Sequence, residues 1–340
     1  MAEIHKDGMA ATVRMACGAG VLNAQENRTQ GRGFKMDQSA ERSGQPGFAT
    51  VARQDDAWRA RLPTDVREAV SSALRDAARS LVVPSFRGSG LADVSRKASG
   101  TLVTQIDRDV ESRLAEAVTT LFPSSRVIGE EAAAADPRLL MHLGDEWAWL
   151  IDPLDGTANF VEGREPVTMM VALLYRGSPV LAWILDPLQD VLIAAGRGEG
   201  LSVGRAAAAA PALRDLRGAA WTRYFDDGLR HAIEERFPAL GQVTPGCKCT
   251  GAEYLSLLRG QQDFVLFWRS MPWDHTAGIL LLQESGGHAA YLNRNPFQPG
   301  AKRFGLLAAR SEQIWDQVWT ALIEGVPDPE GLLSHQAQTY

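Results

Sequence analysis

Asp152-Pro153-Leu154-Asp155 sets two carboxylates three positions apart, with Gly156 and Thr157 directly behind them. Crowded at the end of an apolar run, unpaired carboxylates repel one another and resist desolvation, so a cation is expected between them. Three more acidic positions fall where elements begin or end: Asp107, the pair Glu130-Glu131, and Asp274. Hard oxygen donors with no His or Cys among them suit Mg²⁺ or Mn²⁺, not zinc. Pro153 is expected to stiffen a turn so that both carboxylates face one point. One of them can bridge two ions, and the Leu154 carbonyl can add a neutral oxygen. Gly156 lets the backbone approach an anion, and the amides of Gly156 and Thr157 can hold phosphate oxygens. Acid-bound metals beside an amide nest describe metal-assisted hydrolysis of a phosphate ester.

Each cluster taken singly has a plainer reading. Asp-Pro-x-Asp is commonly an Asx-capped turn, a Glu pair a solvated loop, and an Asp before an apolar run a helix cap. The chain supplies its own control, because Asp186-Pro187-Leu188 repeats the tripeptide without a following Gly-Thr. That copy reads as an ordinary turn. The joint occurrence of all the acidic clusters favours chemistry.

The elements that must position these residues can be read from the pattern. Thr64 is a candidate N-cap for a helix with Val66, Val70, Leu74, Ala77 and Leu81 on one stripe, ended by Pro84. A second helix is expected from about Asp107 through Leu121, before Pro123. "RVIGEEA" reads as a strand ending in acids. "WAWLID", "VTMMVALLY", "VLAWILD" and "VLIAAG" read as further strands. Gly, Arg and an alanine run over 196–211 mark a boundary between an N-terminal α+β subdomain (55–197) and a C-terminal α/β subdomain (198–325) that supplies Asp274. Beyond it, Thr250-Gly-Ala-Glu253 reads as a capping box, "DFVLFW" as a strand, and Asp274 as the start of an apolar helix closed by Gly286-Gly287. The mixture indicates a layered α/β (α+β) protein.

The 340 residues, 45% hydrophobic and 22% charged with a net charge of −6, are ordinary globular composition, with no electrostatic reason to favour nucleic acid. No apolar run approaches the roughly 18 residues of a membrane span. Cys17, Cys247 and Cys249 form no disulfide framework, so they read as reduced thiols of a cytoplasmic protein. Residues 1–54, where polar residues and Gly interrupt every apolar patch, are expected to be a disordered tail, with Met9, Met15 and Met36 as alternative starts. Residues 326–340 read as a second tail.

"GEE" (129–131), "WLIDPLDGTANF" (149–160), "PWDHTAGILLLQESGG" (272–287) and, upstream, "LVTQIDRDVE" (102–111) together resemble the inositol monophosphatase family, Mg²⁺-dependent and lithium-sensitive phosphatases. The resemblance spans roughly residues 60–310. It implies the layered α-β-α-β-α sandwich shared with fructose-1,6-bisphosphatase, usually as a homodimer, with two or three Mg²⁺ ions replaceable by Mn²⁺. It also implies roles: Glu130, Asp152 and the Leu154 carbonyl on a first metal, and Asp152, Asp155 and Asp274 on a second. Gly156 and Thr157 match the phosphate-binding turn, Asp107 and Thr157 the pair orienting the attacking water near Glu130, and Glu131 lies behind the ligands.

Family members acting on inositol phosphate carry an acid seven residues before the last metal-binding aspartate. Here that position is Phe267, expected at the leaving-group pocket and unable to accept a hydroxyl hydrogen bond. Inositol 1-phosphate is therefore expected to be a weak substrate. A sugar phosphate, histidinol phosphate or nucleotide 3′-phosphate is the alternative, and a non-catalytic macromolecule-binding protein is the rival class. His275 and His288 read as structural residues.

Overall fold

The computed structural model describes residues 56–87, 95–96, 102–203, 215–301 and 304–326. The tail expected over 1–54, and all but the first residue of that expected over 326–340, lie outside the described residues. Helix α1 (Val66–Ala77) buries Val66, Val70, Leu74 and Ala77, as the stripe requires, with Asp65 and not Thr64 at the N-cap position. A π-helical turn (Ala78–Val82) and the short α2 (Val83–Ser85) extend it. Pro84 does not end the helix, since it sits in the first turn of α2, where its missing N–H is not needed. A ladder of β1 (Ser95–Arg96) and β2 (Leu102–Val103) precedes α3 (Gln105–Leu121), which starts two residues before Asp107. Asp107 belongs to its capping box, its carboxylate accepting the Thr104 amide at 2.8 Å.

Strand β3 (Arg126–Gly129) runs straight into α4 (Glu130–Ala135). Strands β4 (Trp147–Asp155), β5 (Thr168–Tyr175), β6 (Ser178–Asp186), β7 (Val191–Gly196) and β8 (Leu201–Val203) follow, with α5 (Thr157–Val161) between the first two. They form a six-stranded sheet in sequence order, β3 parallel to β4 and the rest antiparallel. A second, five-stranded mixed sheet joins β9 (Leu216–Ala220), β10 (Gly241–Pro245), β11 (Phe264–Arg269), β12 (His288–Tyr291) and β13 (Phe304–Ala309) in the order β10-β9-β11-β13-β12. Four helices accompany it: α6 (Asp227–Glu234), α7 (Thr250–Leu258), α8 (Pro272–Glu284) and α9 (Glu312–Leu322).

Alternation along the strands assigns the layers. In β4, Trp147, Trp149 and Ile151 pack with α1 and α3, whereas Ala148 and Leu150 face α7 and α8. In β11, Val265 and Phe267 face the same middle helices, and Phe264, Leu266 and Trp268 face α6 and α9. Both faces of both sheets are covered, so the strands read as continuous apolar runs. The order is α1/α3, six-stranded sheet, α7/α8, five-stranded sheet, α6/α9. This is the expected α-β-α-β-α sandwich. Helix α8 lies between the sheets, which is why its sequence is apolar on every side. Two buried indoles of this sheet have partners: Trp149 donates to Ser125 Oγ at 3.0 Å and Trp183 to Ser71 Oγ at 3.1 Å. Among the described residues, no helix is long and apolar enough to cross a membrane.

Candidate metal centre

Parallel pairing of β3 with β4 sets Gly129 opposite Ile151, so the next residues, Glu130 and Asp152, emerge side by side. Asp274, in the first turn of α8, reaches them from the middle layer. One carboxylate oxygen from each of the three lies within 4.8 Å of the others, and Asp152 is only 1% exposed. Three carboxylates this close, one wholly desolvated, fit a hard divalent cation. The donor set is all oxygen, as Mg²⁺ or Mn²⁺ needs.

Glu130 is held by a residue to which the sequence assigned no role. Glu111 of α3, 8% exposed, accepts the Glu131 amide at 2.7 Å and the Ala132 amide at 2.9 Å, capping α4 from another element. A Cβ on Gly129 would come within 2.2 Å of that carboxylate, so glycine is what lets the cap close. The Glu131 carboxylate stands outside the three-acid group.

Beside the acids lies a hydroxyl–carboxylate pair. The Thr157 hydroxyl is 2.9 Å from Asp107 Oδ1 and 3.0 Å from the Leu154 carbonyl, and its single proton can serve only one of them at a time. Asp107 is 1% exposed, and burial raises its pKa against the hydrogen bonds from Thr104 and Thr157 that lower it. Gly156 turns the chain into α5 with φ +87°, and a Cβ there would press on the Pro166 carbonyl at 3.0 Å. Asn159 of α5 fixes this turn by donating to the Pro166 and Cys247 carbonyls, each at 2.9 Å.

Asp155 is placed differently from its neighbour. The expected turn at 152–155 is strand: β4 continues pairing with β5 across an irregularity between Asp152 and Asp155. Asp155 Oδ2 then accepts from the Gly251 amide at 2.6 Å, and from Cys249 Sγ and Thr168 Oγ1, each at 3.2 Å. It thereby caps α7 across the site, and burial pushes its pKa up to about 6. It is not one of the three converging acids. The Thr250–Glu253 capping box is not formed. Cys249 holds the N-cap position without a side-chain cap, and Glu253 instead accepts the Cys247 amide at 2.7 Å and the Trp221 indole at 3.3 Å. Cys247 and Cys249 thus border the site, and burial pushes both thiols up, which keeps them protonated.

Phe267 is 2% exposed, its ring stacked on Tyr254 at 5.4 Å and edge-on to His275 at 4.8 Å. That ring offers a substrate no open face. His275 is buried as well. Its Nε2 lies 2.9 Å from the Arg269 carbonyl and its Nδ1 3.0 Å from the Tyr254 hydroxyl, and desolvation pushes its pKa down to about 3.

Comparisons with known proteins give the family and the fold. Residues 63–324 match the profile of the inositol monophosphatase family. The Nus factor SuhB of Pseudomonas aeruginosa is 31% identical over 227 residues, covering 63% of this chain and 82% of that protein. Among solved structures, the extragenic suppressor protein suhB from Bartonella henselae superposes with a TM-score of 0.67 at 24% identity, covering 77% of this chain and 100% of the other. A 2′AMP-bound structure of SaIMPase-II gives 0.66 at 19% identity, covering 82% and 100%. At these identities the structural likenesses speak for the fold alone.

Proposed function

Because the chain belongs to the inositol monophosphatase family, we propose that it is a phosphoric monoester hydrolase acting on a small phosphorylated metabolite. The convergence of Glu130, Asp152 and Asp274 from three separate elements carries this reading. Asp155 and the Leu154 carbonyl complete the donor set for Mg²⁺ or Mn²⁺. When bound, such ions supply positive charge that lowers the pKa of an adjacent water and offsets the charge on the leaving oxygen. The chain's own residues do the rest. The amides of Gly156 and Thr157 hold the phosphate oxygens and fix the ester for in-line attack. With the Leu154 carbonyl engaged, the Thr157 proton turns to Asp107, and Thr157 Oγ1 is left to accept a proton from the attacking water. Asp107, made more basic by burial, drains that relay.

The burial of Phe267 leaves choice of substrate to other groups. Inositol, sugar, histidinol and nucleotide phosphates are the candidates. A second reading is carried by the name of the Pseudomonas aeruginosa relative, a Nus factor: a protein that works by binding a macromolecule. The acids, Gly156 and Thr157 all being present favours hydrolysis. The test is phosphate release from a panel of these monoesters with Mg²⁺, Mn²⁺, chelator and lithium. Release that needs the metal and falls with lithium is expected. No release from any ester, in a protein that still binds Mg²⁺, would leave the binding reading standing.

A further inference from the structure

Arg269 ends β11, and Pro272 opens α8 three residues later, so this short connection sets where Asp274 stands. His275 closes the connection. The Arg269 carbonyl can only accept, so His275 Nε2 carries the proton and donates to it at 2.9 Å. A neutral ring then has an acceptor at Nδ1, and the Tyr254 hydroxyl donates to it at 3.0 Å. The two side chains are buried in the middle layer, with His275 1% and Tyr254 0% exposed. Tyr254 lies on α7, three residues beyond Gly251, whose amide holds Asp155 at 2.6 Å. Its ring also meets the α8 backbone directly, since a Cβ on Gly278, one turn beyond Asp274, would fall 2.1 Å from it.

From this geometry we infer that Tyr254 and His275 are positioning residues for metal binding. The chain Tyr254 hydroxyl–His275–Arg269 carbonyl locks α7, which carries the anchor of Asp155, to the first turn of α8, which carries Asp274. It fixes the separation of two carboxylates that come from opposite sides of the site. Neither residue touches the ion or the substrate. Hydrogen bonds behind metal ligands act in this way, by holding first ligands in one orientation. The inference rests on the metal-dependent reading of the site.

The experiment is calorimetric titration of the full chain with Mg²⁺, paired with melting of the metal-free protein. Tyr254→Phe removes the hydroxyl and keeps the ring. Tyr175→Phe serves as control, because it removes a tyrosine hydroxyl of β5 that meets Arg61 at 3.4 Å on the α1/α3 side of the six-stranded sheet, away from α7 and α8. Tyr254→Phe is expected to weaken Mg²⁺ binding about tenfold, with Tyr175→Phe matching wild type. Mg²⁺ affinity in Tyr254→Phe equal to that of Tyr175→Phe would overturn the inference, however far either melting point moved. Should Tyr254→Phe fail to fold, His275→Asn, too short to reach the tyrosine, makes the same comparison with the same two outcomes. Absence of Mg²⁺ binding by wild type would instead overturn the metal reading itself, and this inference with it.

Discussion

The tripeptide Asp-Pro-Leu occurs at residues 152–154 and 186–188, each time near the end of a strand, and the two copies have opposite fates. At the second copy β6 stops at Asp186, whose Oδ1 accepts the Leu188 amide at 3.1 Å and the Gln189 amide at 3.0 Å. The carboxylate is used by its own turn. At the first copy β4 runs on to Asp155, and Asp152 reaches toward Glu130 and Asp274 from other elements. The backbones even share a left-handed residue two positions after the tripeptide, Gly156 at φ +87° and Asp190 at φ +49°. What differs is the surroundings. Asp190 faces solvent and pairs with Arg75 at 2.9 Å and Arg79 at 3.2 Å, whereas Gly156 is wedged against Pro166 and Cys249. A motif becomes a site when its side chains are released from local hydrogen bonding and met by distant ones.

The sharpest way to break this comparison is to neutralise each first aspartate. Asp152→Asn should lower turnover by on the order of a thousandfold and abolish the rise in melting temperature on adding Mg²⁺. Asp186→Asn keeps an acceptor for its turn and should change turnover by less than about threefold. Equal losses in two folded variants would remove the distinction between the copies. Metal-free Asp152→Asn should melt no lower than metal-free wild type, because a desolvated charge has been removed.

The left-handed residues offer the next contrast. Gly156→Ala meets the Pro166 carbonyl at 3.0 Å in a conformation unfavourable to any Cβ, and should cost about 2 kcal/mol in denaturant unfolding. Asp190→Gly relieves a left-handed φ in open surroundings, losing only exposed ion pairs, and should leave the denaturant midpoint close to that of wild type. If Gly156→Ala melts like wild type, close packing is not what requires glycine there.

A pH series sharpens the role of Asp155. Its ordinary pKa of 3.8 is raised to about 6 by burial, so in that window the folded state binds more proton than the unfolded chain. Stability that Asp155 contributes below about 4 is therefore lost as pH rises toward 6. In chelator, wild type should lose melting temperature relative to Asp155→Asn across this window, and Mg²⁺ should reduce the loss. A difference independent of pH would show that Asp155 is well solvated. Asp186→Ala, which orphans two turn amides, should cost about 1 kcal/mol with turnover unchanged.

Much of this protein is written locally. Continuous apolar runs in "WAWLID" and "VTMMVALLY" specify strands buried on both faces, which needs no knowledge of partners. The apolar run after Asp274 specifies a helix enclosed on every side, and the three acids that meet stand where the sequence ends one element and begins another. Other features depend on contacts across the fold. Asp155 is 96 positions from Gly251, and Glu111 is 20 from Glu131, yet each carboxylate caps the other element's helix. The four residues Thr250–Glu253 match a capping pattern, but the helix begins one residue earlier: the Glu253 amide donates to the Cys249 carbonyl at 3.2 Å, and the Glu253 carboxylate accepts the Cys247 amide at 2.7 Å. Phe267 is the same residue whether it lines a pocket or a core. Only the arrival of Tyr254 and His275 against its ring decided that it is core. Short-range propensity determines which elements form and which side they bury. The aim of a buried carboxylate is decided by whichever donor the tertiary packing brings within about 3 Å, and that donor leaves no mark in the neighbouring sequence.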